Sequence, residues 1–479
     1  MYQLPQNINK DKIFIVKKSE INSRLDPKMA LYNQSVQHSL YPLVKLKSLL
    51  LSKPQYGANE PGLVREHKEQ ARYIRITDID ENGLISPDEL GATVANIDDK
   101  YILNENDIVI ARSGATVGKA YIHKQLPYKC VYAGYLIRFV VDSEKILPDY
   151  LFAYTQLSPY KEWVNAIQRP SAQPNINAEE YQSLEIPLPN LNKQQEIIEY
   201  INTAYVQKRA KEAEAQQLLN SIDGYLLKEL GITMPNINTE LTDRVFYINY
   251  CDLSNRLDPY YSLNFFQKSF EAVHSGKYPV VSLKSLSTLI TSGITPKSGG
   301  DAYVDDRLNG IPFVRSGNIN IDGELDFNDL LYIRPDIHKT IMKSSQLRKN
   351  DLMIAIVGAT IGQVGIYVFD DEANINQAIA LVRLKDGINV EYIKELIKSS
   401  VGQLSLNRLK RPVARANINL EEIATIQVVL PPYDIQQKIA NQIQCIRLQA
   451  KALQVQGKVI LEEAKRKVEQ MIIGESMKK

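Results

Sequence analysis

The residues most suggestive of chemistry are Gly114-Ala115-Thr116-Val117-Gly118-Lys119, which resemble a phosphate-cradling loop. Such a loop needs four residues between its glycines, and a Ser or Thr after Gly-Lys to reach a metal-bound phosphate. Here three residues separate Gly114 from Gly118, Ala120 follows Lys119, and a second occurrence, Gly358 to Gly362, is followed by Gln363. Nucleotide hydrolysis is therefore not what these residues support. A hairpin whose glycines supply positive φ is. Base methylation calls for Asn or Asp before Pro-Pro-aromatic, but Leu430-Pro431-Pro432-Tyr433 has leucine at the accepting position and Asp258-Pro259-Tyr260-Tyr261 lacks the second proline. Its partner in the first half, Asp26-Pro27-Lys28-Met29, lacks the aromatic residues too, and no Gly-rich cofactor fingerprint precedes either. Cys130, Cys251 and Cys445 are scattered without Cys-x-x-Cys spacing, and the five histidines are dispersed. No nucleophile grouping or metal site is expected, and no catalytic residue is named.

What remains is binding. The Gly turn places Arg112, Ser113 and Lys119 beside backbone amides that can approach a phosphate oxygen. Between Asn407 and Arg415 stand Arg408, Lys410, Arg411 and Arg415 without an acidic residue, whereas the matching stretch of the first half keeps only Arg169. Arg75 and Arg315 follow matched strands, and the residues after them diverge, Ile76-Thr77-Asp78 against Ser316-Gly317-Asn318. An arginine reading guanine, or an amide such as Asn318 reading adenine, suits such positions. A charge run is more often a solvated face, and the formal net charge of +2 does not by itself name a polyanionic partner.

The elements that position these residues are written twice. Arg24-Leu25-Asp26-Pro27 returns as Arg256-Leu257-Asp258-Pro259, Leu46-Lys47-Ser48-Leu49 as Leu283-Lys284-Ser285-Leu286, and Asn106-Asp107 as Asn350-Asp351. Asn175-Ile176-Asn177 returns as Asn417-Ile418-Asn419, and Gln194-Gln195 as Gln436-Gln437. The order is kept and the offsets drift only between 232 and 244, which means two copies of one fold with small loop insertions. Short β-branched runs (Ile108 to Ile110, Leu136 to Val140, Ala380 to Leu384) predict strands, and Pro148 to Trp163 and Val390 to Leu404 predict helical pieces. Each copy is expected to be an α+β unit with a curled sheet. Leu352 to Phe369 is uncharged for 18 residues, yet its glycines, Gln363 and its charged counterpart in the first half predict strand, turn and strand rather than a membrane helix.

Each copy ends in a helix about 40 residues long, on the order of 60 Å. In the second, Ile439, Ile443, Ile446, Ala450, Leu453, Gly457, Ile460 and Ala464 step by four and three. Shifted back by 242, the stripe becomes Ile197, Ile201, Ala204, Lys208, Lys211, Ala215, Leu218 and Ile222, with two lysines on the inferred seam. Such stripes predict that the helices pair. The expected organisation is a first mixed domain (1–190), a central long helix (191–232), a linker (233–242), a second mixed domain (243–432) and a distal long helix (433–474). With 44% hydrophobic and 23% charged residues the chain reads as an ordinary soluble protein. Scattered thiols and the absence of a signal-peptide core in the first thirty residues suggest a cytoplasmic one.

Two divergent mixed domains, each closing on Pro187-Leu188-Pro189 or Leu430-Pro431-Pro432 and running into a Gln-Gln long helix, resemble the specificity subunit of type I restriction-modification systems. The resemblance covers nearly the whole chain. It implies two target-recognition domains related by a pseudo-twofold repeat and held by an antiparallel coiled coil. It also implies a split, asymmetric double-stranded DNA target whose unread gap the helices set. No cofactor is expected on this chain. Two methyltransferase subunits would bring S-adenosylmethionine, and two motor-nuclease subunits would use ATP. The competing readings are a partner that fuses methyltransferase and nuclease in one chain, an enzyme with an unrecognised nucleic-acid site, and a coiled-coil scaffold.

Overall fold

The computed structural model describes residues 15, 28–30, 32, 39–86, 91–168, 174–236, 247–248, 258–297, 300–305, 308–410 and 416–474. The chain forms two compact units. One holds Met1–Glu212 with Gln454–Lys479, the other Ala213–Leu453.

In the first unit an antiparallel sheet runs in the order Gln55–Tyr56, Leu136–Phe139, Ile108–Ala111, Ala120–Ile122. Ile108 to Ala111 is buried on both faces, which the β-branched residues suit. A second, mixed sheet orders Leu63–Val64, Ala92–Thr93, Arg72–Ile74 and Cys130–Tyr132, the last two parallel. Leu43–Lys45 pairs with Glu185–Pro187 as a third. The second unit repeats this plan. Its antiparallel sheet is Ser287–Ser292, Ile379–Leu384, Leu352–Ala355, Val364–Ile366. Its mixed sheet is Tyr303–Val304, Leu331–Ile333, Ile311–Val314, Ala373–Ile375, Gln346–Leu347, again with one parallel pair. Val280–Ser282 pairs with Gln427–Val429. The class is α+β, as expected, but among the described residues the curled sheet resolves into three small sheets in each unit. Leu352 to Phe369 forms strand, turn and strand, and no helix among the described residues is long and apolar enough to cross a membrane.

Each expected helical piece is two helices, Pro148–Thr155 with Ser158–Ile167 and Val390–Lys398 with Ser400–Leu409. In the first, Pro159 cannot donate to a continuing helix but fits a first turn. The break also frees an amide at each new helix start, and a carboxylate takes it: Ser158 N–H donates to Glu469 at 2.6 Å, and Ser400 N–H to Asp223 at 2.8 Å.

The long helices are Leu191–Leu230 and Tyr433–Ile473. Asn190 caps the first, its Oδ1 accepting from Lys193 N–H at 2.9 Å. In the first unit Ile197, Ile201 and Ala204 share a core with Leu461, Ala464, Val468 and Ile472. In the second, Ile222, Leu226 and Leu230 share one with Ile439, Ile443 and Ile446. Early residues of one helix thus meet late residues of the other, an antiparallel pairing in each unit. Lys208 on the seam does not break the register. Lys208 lies against Gly457, where an added Cβ would meet the Lys208 carbonyl oxygen at 3.3 Å, and its Nζ turns to Glu212 at 2.6 Å. The absent side chain lets one backbone approach the other while the lysine stem covers the apolar surface. The linker is described only as far as Asn236, so 237–242 lies outside the described residues.

Candidate nucleic-acid interface

The glycine hairpin of the first lobe turns at Gly114 (φ 81°) and Gly118 (φ 87°), matched by Gly358 (φ 76°) and Gly362 (φ 93°) in the second. A Cβ on Gly118 would strike Val164 at 2.8 Å, so this turn packs on a helix, whereas Gly114 faces open space. The Asn-Ile-Asn segment holds the hairpin from behind. Ser113 bridges to Asn175, Ile176 is buried, and Asn177 caps Ala178–Gln182 through a capping box. Asn417, Ile418 and Asn419 do the same for the second hairpin.

Arg112, Ser113 and Lys119 are thereby brought together at one end of the sheet. The Arg112 guanidinium lies over the Tyr56 ring, 4.9 Å from its centroid, and its Nε is buried without a hydrogen-bond partner. Lys119 Nζ donates to the Ile79 carbonyl at 2.9 Å, tying the hairpin to the turn that begins at Arg75. That arginine is engaged: its Nε and Nη2 form a fork on Asp78 at 3.0 and 2.9 Å, a hydrogen bond that raises its pKa, and its side chain stays 42% exposed. In the second lobe the counterpart of Asp78 is Asn318, and Arg315 instead donates through Nη2 to the Asp329 carboxylate at 2.7 Å, its Nε buried and unpartnered.

Asn318 requires a correction. It is 3% exposed, its Oδ1 accepts from Arg315 N–H at 2.9 Å, and its Nδ2 faces the Asp326 and Asp329 carbonyls at 3.3 Å. With every polar atom used and no accessible surface, it caps a turn and cannot read a base. The basic run also fails to form a patch among the described residues. Arg408 Nε donates to the Tyr261 carbonyl at 2.9 Å, with the guanidinium over the Tyr261 ring at 4.0 Å. Lys410 Nζ donates to Asn407 at 2.9 Å, and burial lowers its pKa. Arg169, Arg411 and Arg415 lie outside the described residues.

Sequence reasoning passed over Tyr56 beneath Arg112, the carboxylates that hold Arg75 and Arg315, and one buried ion pair in each lobe. Asp107 lies 3.5 Å from Arg138, and Asp351 receives Arg383 through two hydrogen bonds of 2.7 and 2.6 Å. The repeated Asn-Asp was the signal: Asn106 and Asn350 take φ of 71° and 70°, which turns each aspartate back to cap its own loop.

The comparisons agree with this doubled arrangement. The chain is 26% identical over 311 residues to the Escherichia coli type I restriction enzyme EcoBI specificity subunit, covering 64% of this chain and 60% of that protein. It is 22% identical over 383 residues to the EcoKI specificity subunit of Escherichia coli strain K12, covering 78% of this chain and 74% of that one. The alignment therefore spans less than two thirds of the EcoBI subunit's length. In fold it resembles, at a TM-score of 0.50 and 15% identity, a chain from a solved structure on complex assembly and conformational transition of the type I R-M system, over 90% of this chain and 96% of that one. Residues 64–220 and 265–448, one stretch in each half of the duplication, each match the type I restriction modification DNA specificity domain, and the chain belongs to that family.

Proposed function

We propose that this chain is a non-catalytic specificity subunit that reads a split, asymmetric double-stranded DNA target, one half-site per lobe, and directs adenine methylation and restriction by partner subunits. One observation carries the reading: the two lobes share a buried frame but present different side chains at matched positions. Where the first lobe has Arg112 over Tyr56 the second has a buried Ile356, and where it has Lys119 the second has Gln363. Two readers of different base sequences need a common scaffold with unlike donors and acceptors. Arg112, Ser113, Lys119 and the outward edge of Arg75 would serve the first half-site, with Arg169 from the adjoining segment. Arg315, Arg411 and Arg415 would serve the second. The partners are two methyltransferase subunits that bind S-adenosylmethionine and two motor-nuclease subunits that use ATP. The spacing of the half-sites would follow from the paired helices.

Methylome sequencing of a host with and without this chain tests the reading, and a two-part adenine-methylated motif present only with the chain is expected. Absence of any new motif, or turnover of labelled S-adenosylmethionine or ATP by the purified chain alone, would overturn it.

A further inference from the structure

Each lobe is fastened to the long helices by polar contacts that packing alone does not require, buried at the glutamines and more open at the carboxylates, and the fastening has the same design in both units. The first glutamine of each Gln-Gln pair is buried, Gln194 completely and Gln436 almost so. Gln194 Oε1 accepts from Leu147 N–H at 2.8 Å, the residue that opens helix Pro148–Thr155, while its Nε2 donates to the Pro189 carbonyl at 2.9 Å. Gln436 Oε1 accepts from Asn389 N–H at 3.0 Å, the residue that opens helix Val390–Lys398, and its Nε2 donates to the Pro431 carbonyl at 2.9 Å. A buried tyrosine completes each joint: Tyr150 donates to the Pro187 carbonyl and Tyr392 to the Val429 carbonyl, both at 2.7 Å.

Gln194 on Leu147 and Gln436 on Asn389 hold a lobe to the helix that follows it in sequence, while Tyr150 and Tyr392 tie the same lobe helices to the strands that lead into it. The second fastening comes from the other long helix, through Glu469 on Ser158 in the first unit and Asp223 on Ser400 in the second. A lobe held at one point can swivel. Held to two antiparallel helices through directional hydrogen bonds, it is fixed in attitude as well as position. A buried amide that loses its partners costs more than the bond contributed, so the joint resists small rotations.

We infer that Gln194, Tyr150 and Glu469 in the first unit, with Gln436, Tyr392 and Asp223 in the second, are positioning residues that set how strictly the complex measures the distance between its two half-sites. They touch no base. This rests on the reading of the chain as a split-target DNA reader and extends it from which bases are read to how the gap is measured.

The test uses the full chain assembled with its methyltransferase subunits, and duplexes carrying the mapped target with the unread gap at its native length, one base pair shorter and one longer. Competition binding and methylation are read on each duplex, and melting temperature separately. Gln194→Leu is expected to cut the preference for the native gap by about tenfold while the preferred bases of both half-sites stay unchanged. Tyr150→Phe, which removes one hydroxyl and no volume to speak of, is expected to shift the gap preference in the same direction by a smaller factor, and it keeps the test open should the leucine variant fail to fold. A gap profile as sharp as the parent's in folded Tyr150→Phe and Glu469→Ala complexes, even with a lowered melting temperature, would show a purely structural role and overturn the inference. A parent complex with no preferred split target would overturn the parent reading and this one with it. A sharp parent profile that the variants leave intact overturns this one alone.

Discussion

The two lobes differ where they can afford to and agree where they cannot. Both close a loop with a buried aspartate after a positive-φ asparagine, but the arginine that answers it is different: Arg383 lies bidentate on Asp351, whereas Arg138 spends itself on the Ile102 carbonyl at 3.0 Å and on Gln55, leaving Asp107 at 3.5 Å. Burial raises the Asp107 pKa accordingly. Around the hairpins the lobes part further, with half-buried Arg112 over Tyr56 against a buried Ile356, and buried His123 against buried Tyr367. Buried polar groups change only in sets, since one orphaned partner costs about 1–3 kcal/mol. The duplication thus separates scaffold from reader within one molecule.

The sharpest way to break this comparison is at the ion pairs. Arg383→Ala leaves Asp351, 1% exposed, without its cation, and is expected to cost roughly 3–5 kcal/mol in urea unfolding of the full chain. Arg138→Ala should cost only about 1–2 kcal/mol, because its bonds go to neutral acceptors. Equal losses would show that the two pairs are energetically alike after all.

A pH scan sharpens the second contrast. His123 is buried beneath Tyr121, whose hydroxyl lies 3.0 Å from its Nδ1, and burial lowers its pKa to about 4. The unfolded chain takes up this proton near pH 6.5 and the folded lobe only near 4, so stability falls as pH drops through that window, by on the order of 3 kcal/mol for this group. His123→Tyr, the residue of the second lobe, is expected to flatten the slope between pH 7 and 4.5. An unchanged slope would place the acid sensitivity elsewhere.

The smallest expected effect is the most specific. Converting the first lobe's pair to that of the second, Arg112→Ile with Tyr56→Ser, should move stability by no more than about 1 kcal/mol. It should weaken DNA binding by the assembled complex about tenfold and reduce the salt dependence by about one phosphate contact. A larger loss of stability with unchanged DNA binding would return Arg112 to a structural role.

The repeat was legible because the buried frame is spelled in consecutive letters: Asn106-Asp107, Asn175-Ile176-Asn177, Gln194-Gln195. Each group serves its own turn or helix end, so local sequence carries it. The site was less legible because its contacts cross between strands. Nothing near Arg112 names Tyr56, and the turn after Arg315 does not reveal Asp329, fourteen residues on. Asn318 was misjudged for the same reason, since an amide suited to adenine is equally suited to a cap and only burial decides. The break before Pro159 was readable in principle. The one at Ser399 was not, because no proline marks it and the carboxylate that takes the freed amide lies on a distant helix.

Gly457 gives the helix pair a property that its apolar stripe does not. Most of the seam is built from apolar side chains of the two helices, but at this residue main chain rests almost directly on main chain at Lys208. Sliding by one helical turn would drive a full-sized neighbour into that notch. The notch therefore works as a detent, choosing one alignment of the helices from several that the hydrophobic spacing alone would accept.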